Sequence, residues 1–326
     1  MKNINFGKID KFIIFGGNIV TIELCKFLKG KKIDFLLFTT PHQSKEIIFG
    51  SNKTFKNHLI ENKINYKVVA NIKTHLLKKY VNNHTIGISN SCRWIFNENQ
   101  IKLFEKKLIN IHFSNLPENR GSGGLSWDIM MNKYKSGSTI HLIEKKIDSG
   151  FCLLKQSFVF PKKFRNTLYD MQKYSYKVQK SLLLKFINKV LKNKNFTLNP
   201  INIKNVKSTY WPRINSKKNA WINWEWTADE IVSFIKSCSS PHIGAGTFLD
   251  KKILRLKYAK KAKSKIKFHP YQYGIIYKKN HNKLYVACKG GGVIINSENL
   301  KKNKKIIGKR LFTTFSTLEK SLENKL

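Results

Sequence analysis

Three side chains near the middle of the chain have the chemical types that acyl transfer to an amine requires. Asn110, His112 and Asp148 lie at the ends of short apolar runs and are followed by turn-forming residues. A carboxamide can donate to an oxyanion, an imidazole can take the proton of the amine, and a carboxylate can orient that imidazole. Residue types and spacing alone favour an ordinary loop histidine and a solvated aspartate, so the surrounding elements must be considered.

The first half of the chain alternates short apolar runs with amphipathic segments, which predicts an α/β fold with a Rossmann-like open parallel sheet. Strands are predicted at 11–17, 33–38, 66–69, 85–89 and 107–112. Asn110 and His112 are two residues apart at the end of the last of these, so their side chains point to one face. Ligands bind beyond the carboxyl ends of the strands in such sheets. A further strand at 139–143 precedes Asp148, and two strand ends would bring the three side chains together.

The second half predicts a different architecture and a domain boundary. A long amphipathic helix is expected at 167–191, with an apolar face made by Leu168, Met171, Val178, Leu182, Phe186 and Val190. The Lys/Asn-rich segment 192–207 has the composition of a linker. A capped helix at 227–238 and five short β-like runs between 246 and 295 then predict a small OB-like β-barrel. The predicted domains are therefore 1–191 and 208–326.

Composition narrows the class of protein. Hydrophobic residues make up 41% of the 326 residues, which is ordinary for a globular chain. No apolar run approaches the roughly 18–20 residues that span a bilayer, and the polar N-terminus lacks the apolar core of a signal peptide, so a cytoplasmic protein is expected. The 5 cysteines are scattered without a C-x-x-C pair, which predicts reduced, mostly buried thiols and no metal site.

The formal net charge of +43 has two interpretations. It fits a polyanionic partner such as tRNA, because basic surfaces attract phosphate. It also fits a compositional bias, because Lys greatly outnumbers Arg and the charge is spread along the whole chain. A dedicated nucleic-acid surface is normally clustered on one face, which favours the second interpretation. A nucleotide-bearing small substrate would benefit from the same field.

The amino-acid sequence of the central segment resembles the folate-dependent formyltransferase family. That family includes glycinamide ribonucleotide, methionyl-tRNA and nucleotide-sugar formyltransferases. The similarity lies in an Asn-x-His-x-Ser-x-Leu-Pro motif at 110–117, Arg120-Gly121, Thr139-x-His141 and Asp148-x-Gly150. The segment 208–224 and the β-like runs resemble the interdomain element and C-terminal barrel of the longer members. Gly16-Gly17, by contrast, is not a dinucleotide fingerprint, and a close strand–helix turn explains it better.

The resemblance implies a donor, 10-formyltetrahydrofolate, and a division of roles among residues. Asn110, His112 and Asp148 would carry formyl transfer, and the pteridine would lie near the loop at 89–96. The implied cofactor-binding residues are Ser89, Ser91, Cys92, Trp94, Ile95, Ser114, Ile143 and Ile147. The implied substrate-binding residues are Arg120, Gly121, Ser122 and Trp127.

The acceptor is where the sequence departs from the family. Asn115 replaces the usual Leu, and a Gly/Ser segment at 122–126 follows Arg-Gly. Methionyl-tRNA members usually carry a basic loop after the second strand, but here the segment 40–51 is short and barely basic. This favours a small amine acceptor, most simply a nucleotide-linked amino sugar. Methionyl-tRNA remains the alternative acceptor, and a binding protein with a degenerate site is a third interpretation. The oligomeric state is left open.

Overall fold

The computed structural model describes residues 2–201, 208–212, 214–263, 266–296 and 306–313. The second part of the predicted linker, 202–207, and the C-terminal residues 314–326 lie outside the described residues. The strands are β1 Asn3–Ile4, β2 Lys11–Gly16, β3 Asp34–Thr39, β4 Tyr66–Val68, β5 Thr85–Asn90, β6 Leu108–His112, β7 Arg120–Gly121, β8 Lys135–Leu142, β9 Cys152–Val159, β10 Phe196–Thr197, β11 Tyr210–Trp211, β12 Ala245–Leu249, β13 Lys252–Leu256, β14 Ala259–Lys261, β15 Ile276–Asn280, β16 Lys283–Cys288 and β17 Gly291–Asn296.

The helices connect these strands. They are α1 Ile19–Gly30, α2 Pro41–Ser44, α3 Phe55–Glu61, α4 Thr74–Lys78, α5 Glu98–Leu103, α6 Gly124–Met130, α7 Leu168–Leu191 and α8 Ala228–Ser237, with short 3-10 turns at Lys162–Phe164 and Pro270–Gln272. The chain forms two compact units. The first comprises Met1–Gly121, Ser136–Phe158 and Lys173–Tyr210, and the second comprises Ser122–Lys135, Val159–Gln172 and Trp211–Leu326.

A seven-stranded sheet organises the first unit, in the order β4-β3-β2-β5-β6-β8-β9. Strands β2 to β6 in this sheet pair in parallel, as the sequence predicts. Strand β8 runs antiparallel to β6, so this edge of the mostly parallel sheet is mixed.

Both faces of the sheet are buried, which explains the continuous apolar runs. Phe12 and Ile14 of β2 belong to one core cluster together with α1 and α7, whereas Ile13 and Phe15 belong to a second cluster. The apolar face predicted for α7 is buried along its length. These buried faces fix the register of β5, β6 and β8, because a slip of one residue would exchange the two faces.

The turn from β2 to α1 is as close as the paired glycines predict. Gly16 has φ +127°, and a Cβ there would lie 1.9 Å from the carbonyl oxygen of Asn90 at the end of β5. Only glycine permits this approach. Asn18 then caps α1 by accepting from the backbone N–H of Thr21 at 2.9 Å.

The second unit contains α6, α8 and two antiparallel sheets. Strands β12 and β13 form one sheet, and β14-β17-β16-β15 form the other, which matches the predicted positions of the short strands. One apolar cluster forms the core of this unit. The predicted capping box of α8 is present, with Thr227 and Glu230 each bonding to the backbone N–H of the other. Among all helices that the structure describes, none has the length and apolar character needed to cross a membrane.

Candidate functional site

Strand β6 presents Asn110 and His112 on one face, at the end of the parallel part of the sheet. In the ladder Asn110 lies between Ser89 of β5 and His141 of β8. Ser89 Oγ donates to Asn110 Oδ1 at 2.9 Å. This bond orients the carboxamide, so that its NH₂ group points towards Asp148 and His141.

Asp148 reaches this strand end because the loop after β8 turns back on itself. The residue adopts the left-handed conformation, φ +50°, which is uncommon outside glycine. Gly150 permits the return, since a Cβ there would lie 1.9 Å from the carbonyl oxygen of Leu142. The amide of Gly121 donates to Asp148 Oδ2 at 2.9 Å, and Asn110 Nδ2 donates weakly to Oδ1 at 3.4 Å. The carboxylate is therefore held from two sides.

His112 has its tautomer fixed by the backbone. Its Nε2 lies 2.8 Å from the carbonyl oxygen of Asn119, an acceptor, so the neutral ring carries its proton on Nε2. Nδ1 then holds the lone pair, and it faces Asp148 Oδ2 at 3.6 Å. If Nδ1 takes a proton, the imidazolium can donate to the carboxylate. The ring is thus poised as a base with its counter-ion already in place.

His141 is a fourth member of the cluster, which sequence reasoning did not assign a role. Its Nδ1 donates to the carbonyl of Leu142 at 2.8 Å, and Asn110 Nδ2 lies 3.2 Å from its Nε2. The same nitrogen lies 3.5 Å from Asp148 Oδ1. The Thr-x-His motif was the available signal, because an alternating strand places His141 on the face that Asn110 occupies.

The electrostatics of the cluster favour an ionised carboxylate and a neutral imidazole. Burial raises the pKa of Asp148, but the neighbouring rings of His141 and His112 and the Gly121 amide, which stabilise the carboxylate, outweigh it and bring the pKa to about 2. Burial lowers the pKa of His112, against the opposing pull of Asp148 and the Asn119 carbonyl. At neutral pH the site therefore combines a charged orienting group, an unprotonated base and a carboxamide donor.

The residues expected on the donor side lie around this strand end, in the first unit. Ser89 and Ser114 are buried, and Cys92, Trp94 and Ile143 all pack against the second core cluster. Ile95 and Ile147 are 77% and 41% exposed, an unusual degree for isoleucine. Ser114 Oγ donates to the carbonyls of Glu118 and Asn119, which supports the backbone that holds His112. Apolar side chains are therefore exposed in the loops that follow β5 and β8.

The residues expected on the acceptor side divide between the two units. Arg120 and Gly121 belong to the first, where Arg120 has a buried Nε without a hydrogen-bond partner. Ser122 and Trp127 belong to the second. There, Trp127 stacks on Trp211 with ring centroids 5.2 Å apart and donates to the carbonyl of Pro212 at 3.1 Å.

Asn115, the departure from the family motif, has a structural partner. Its Oδ1 accepts from Ser157 Oγ of β9 at 2.8 Å, and the side chain packs over Gly137 of β8. Any Cβ at Gly137 would meet Asn115 Oδ1 at 2.0 Å. The amide therefore ties the turn after β6 to the neighbouring strands, which a leucine could not do by hydrogen bonding.

Comparison with known proteins places these motifs in a family. The family model described as "Formyl transferase" matches residues 53–185, and the model described as "Formyl transferase, C-terminal domain" matches residues 215–316. The first match contains Asn110, His112, His141 and Asp148.

Curated relatives show the same similarity at moderate identity. The bifunctional polymyxin resistance protein ArnA of Wigglesworthia glossinidia brevipalpis is 29% identical over 315 residues, which is 90% of this chain and 45% of ArnA. A methionyl-tRNA formyltransferase of Caldanaerobacter subterraneus is 31% identical over 164 residues, 50% of each chain. The chain thus spans about half the length of these curated relatives.

Solved structures show the same fold over nearly their whole length. The sugar 3N-formyl transferase WlaRD covers 90% of this chain and 99% of its own, with a TM-score of 0.68 and 21% identity. The N-formyltransferase from Helicobacter canadensis covers 88% and 98%, with a TM-score of 0.67 and 21% identity. With both family models matched in order along the sequence, this chain belongs to the formyl transferase family.

Proposed function

We propose that the protein transfers a formyl group from 10-formyltetrahydrofolate to the primary amine of a nucleotide-linked amino sugar. The observation that carries this proposal is the cluster at the end of β6, where Asp148 lies beside both Asn110 and His112. Those groups are a carboxamide donor, a neutral base and an ionised orienting group, which together are what acyl transfer to an amine needs.

Each residue has a separate task in the proposed reaction. The donor supplies the formyl carbonyl as the electrophile. Asn110 Nδ2 donates to the carbonyl oxygen as charge develops on it, because its bond to Asp148 at 3.4 Å is weak and easily exchanged. His112 Nδ1 takes a proton from the attacking amine, and Asp148 stabilises the resulting imidazolium. The new C–N bond then forms, the bond from formyl carbon to N10 of the folate breaks, and the proton passes to N10.

The donor assignment is supported by the surface beside the cluster. Ile95 and Ile147 expose apolar area, and Trp94 and Ile143 pack against the second core cluster. Such a surface suits a flat heteroaromatic ring. WlaRD was solved in the presence of dTDP and 5-N-formyl-THF, and the Helicobacter canadensis enzyme in complex with folinic acid and dTDP-3-aminofucose.

Methionyl-tRNA is the second candidate acceptor. It is favoured by the similarity to the methionyl-tRNA formyltransferases of Clostridium novyi and Caldanaerobacter subterraneus. The net charge of +43 also favours it. The short, barely basic segment 40–51 disfavours it.

The test is a product analysis with purified protein and 10-formyltetrahydrofolate. The acceptors are nucleotide-linked sugars that carry an amine at C3 or C4, and methionyl-tRNA, each analysed by mass spectrometry for the gain of one formyl group. We expect a formylated nucleotide sugar. Formyl-methionyl-tRNA as the dominant product would replace the acceptor assignment, and the absence of any formylated product would reject the proposed function.

Site variants test the assignment of residues. Asn110→Ala and His112→Ala should each reduce turnover by about 10²–10³, the usual cost of losing such a group. His75→Ala is the matched control, because His75 is an exposed histidine on α4. Turnover near that of the unaltered protein in either site variant would show that the reaction takes place elsewhere.

A further inference from the structure

The segment after β3 holds the loop after β5 in place. Gln43 of α2 donates from Nε2 to the carbonyl oxygen of Ser91 at 2.8 Å, and the Gln43 side chain is only 2% exposed. The carboxylate of Glu46 pairs with the guanidinium of Arg93. Two consecutive turns of this segment therefore contact two residues of one loop.

Asn18 supplies a second buried amide to the same loop. While its Oδ1 caps α1, its Nδ2 donates to Ser91 Oγ at 2.7 Å and to Asn90 Oδ1 at 3.3 Å. Ser91 has φ +54°, a conformation that costs free energy in a residue other than glycine. The hydrogen bonds from Asn18 and Gln43 offset that cost and select one shape for the loop.

The remaining residues of the loop are also fixed, with one exception. Trp94 donates from Nε1 to the carbonyl of Ala70 at 2.9 Å and meets Phe15 edge to face at 6.5 Å. Ile95, which follows it, is 77% exposed. An ordered loop that projects one bare apolar side chain has already lost the conformational entropy that binding would otherwise cost.

We propose that Gln43 and Asn18 are positioning residues that pre-organise the Ser91–Ile95 loop to receive the formyl donor. The inference rests on the proposed function, in which this loop lies on the donor side. It gives the segment 40–51 a role in donor binding instead of acceptor recognition. It also explains why a buried glutamine occupies a helix as short as α2.

Gln43→Met tests the proposal, since it keeps the side-chain length and removes the donor to Ser91. Ser44→Ala is the matched control: it removes a buried hydrogen bond of the same helix, from Ser44 Oγ to the Pro41 carbonyl, that does not reach the loop. We expect Gln43→Met to raise the KM for the folate donor by several-fold to about tenfold, in proportion to one hydrogen bond. The kcat and the acceptor KM should stay unchanged, and Ser44→Ala should change none of these values.

Hydrogen exchange of the ligand-free protein gives a readout independent of activity. The amides of 91–95 should exchange faster in Gln43→Met than in Ser44→Ala, with strand β5 unaffected. Unchanged loop exchange, or faster exchange with an unchanged donor KM, would overturn the proposal. If Gln43→Met does not fold, Ser91→Ala removes the contact to Asn18 and leaves the helix cap intact.

Failure of the proposed function would be recognised separately. In that case the unaltered protein forms no formylated product with any acceptor. Calorimetric binding of 5-formyltetrahydrofolate then replaces the KM comparison. A weaker affinity in Gln43→Met would still support the positioning role, whereas equal affinity, or no binding of this folate to the unaltered protein, would reject it.

Discussion

Asp148 owes its low pKa to neighbours that are themselves fixed by the backbone. The Gly121 amide and the ring of His141 hold the carboxylate, and the Leu142 carbonyl holds His141. His112 is held in the same way by the carbonyl of Asn119. The backbone thus determines which nitrogen of the neutral His112 ring carries the proton, and this supports the assignment of His112 Nδ1 as the base.

The pH dependence of the reaction should follow from His112. Because burial lowers its pKa below the ordinary 6.5, the ring is unprotonated at neutral pH and becomes protonated only as the pH falls further. We therefore expect kcat/KM for the donor to be flat near neutrality and to fall on an acid limb with a midpoint below 6.5. Asp148, with a pKa of about 2, stays ionised throughout this range.

Asp148→Asn should move that acid limb. Removing the carboxylate removes the charge that raises the pKa of His112, so the midpoint should shift to lower pH while the rate decreases. Glu144→Gln, an exposed carboxylate of the same loop, should leave the midpoint in place. A limb centred above the ordinary 6.5, or one that Asp148→Asn does not move, would contradict the assignment of His112.

At the scale of elements, the loop from β8 to β9 decides whether the site forms. Gly150 allows the loop to pass the Leu142 carbonyl, and Asp148 takes the left-handed conformation two residues earlier. The Asp-x-Gly motif therefore combines a carboxylate with a glycine that allows the close backbone approach on which the position of the carboxylate depends. The strand ends supply Asn110, His112 and His141 independently of this loop.

Gly150→Ala should accordingly damage activity more than folding. The new Cβ would lie 1.9 Å from the Leu142 carbonyl oxygen, so the loop must move and carry Asp148 away from His112. We expect turnover to fall at least tenfold, and the free energy of unfolding to fall by about 1–3 kcal/mol. Activity and urea unfolding measure the two effects.

Gly30→Ala is the control for this prediction, because it adds the same methyl group at the end of α1 with no atom within 4 Å. Alanine is favoured over glycine there by up to about 1 kcal/mol. Equal activities in the two variants would show that the loop adapts without displacing Asp148.

The sequence predicted the strands but not the path of the loops. Strand β6 and its two site residues follow from apolar periodicity and from the rule that parallel strands end at the ligand edge. The antiparallel direction of β8, and hence the place of His141 beside Asn110, depends on a pairing partner that periodicity does not specify. The Asn119–His112 bond depends on a turn whose backbone angles depend on tertiary contacts.

At the scale of the whole molecule, the net charge of +43 bears on the choice of acceptor. Such a field attracts any polyanion at low ionic strength, so binding of tRNA alone would not identify it as the substrate. Salt should weaken the binding of the two acceptors to different extents. A small nucleotide sugar neutralises few charges, whereas tRNA contacts many phosphates and releases their counter-ions.

We therefore expect tRNA that carries no amino acid to inhibit formylation of the nucleotide sugar at low salt. The inhibition should disappear between about 50 and 200 mM salt. The kcat/KM for the sugar nucleotide itself should fall only slightly over that range. The measurement is a salt titration of the formylation rate with and without tRNA, with an uncharged polymer of similar size as control. If methionyl-tRNA is instead formylated at moderate salt with a higher kcat/KM than the sugar nucleotide, the field serves acceptor recognition and the acceptor assignment is wrong.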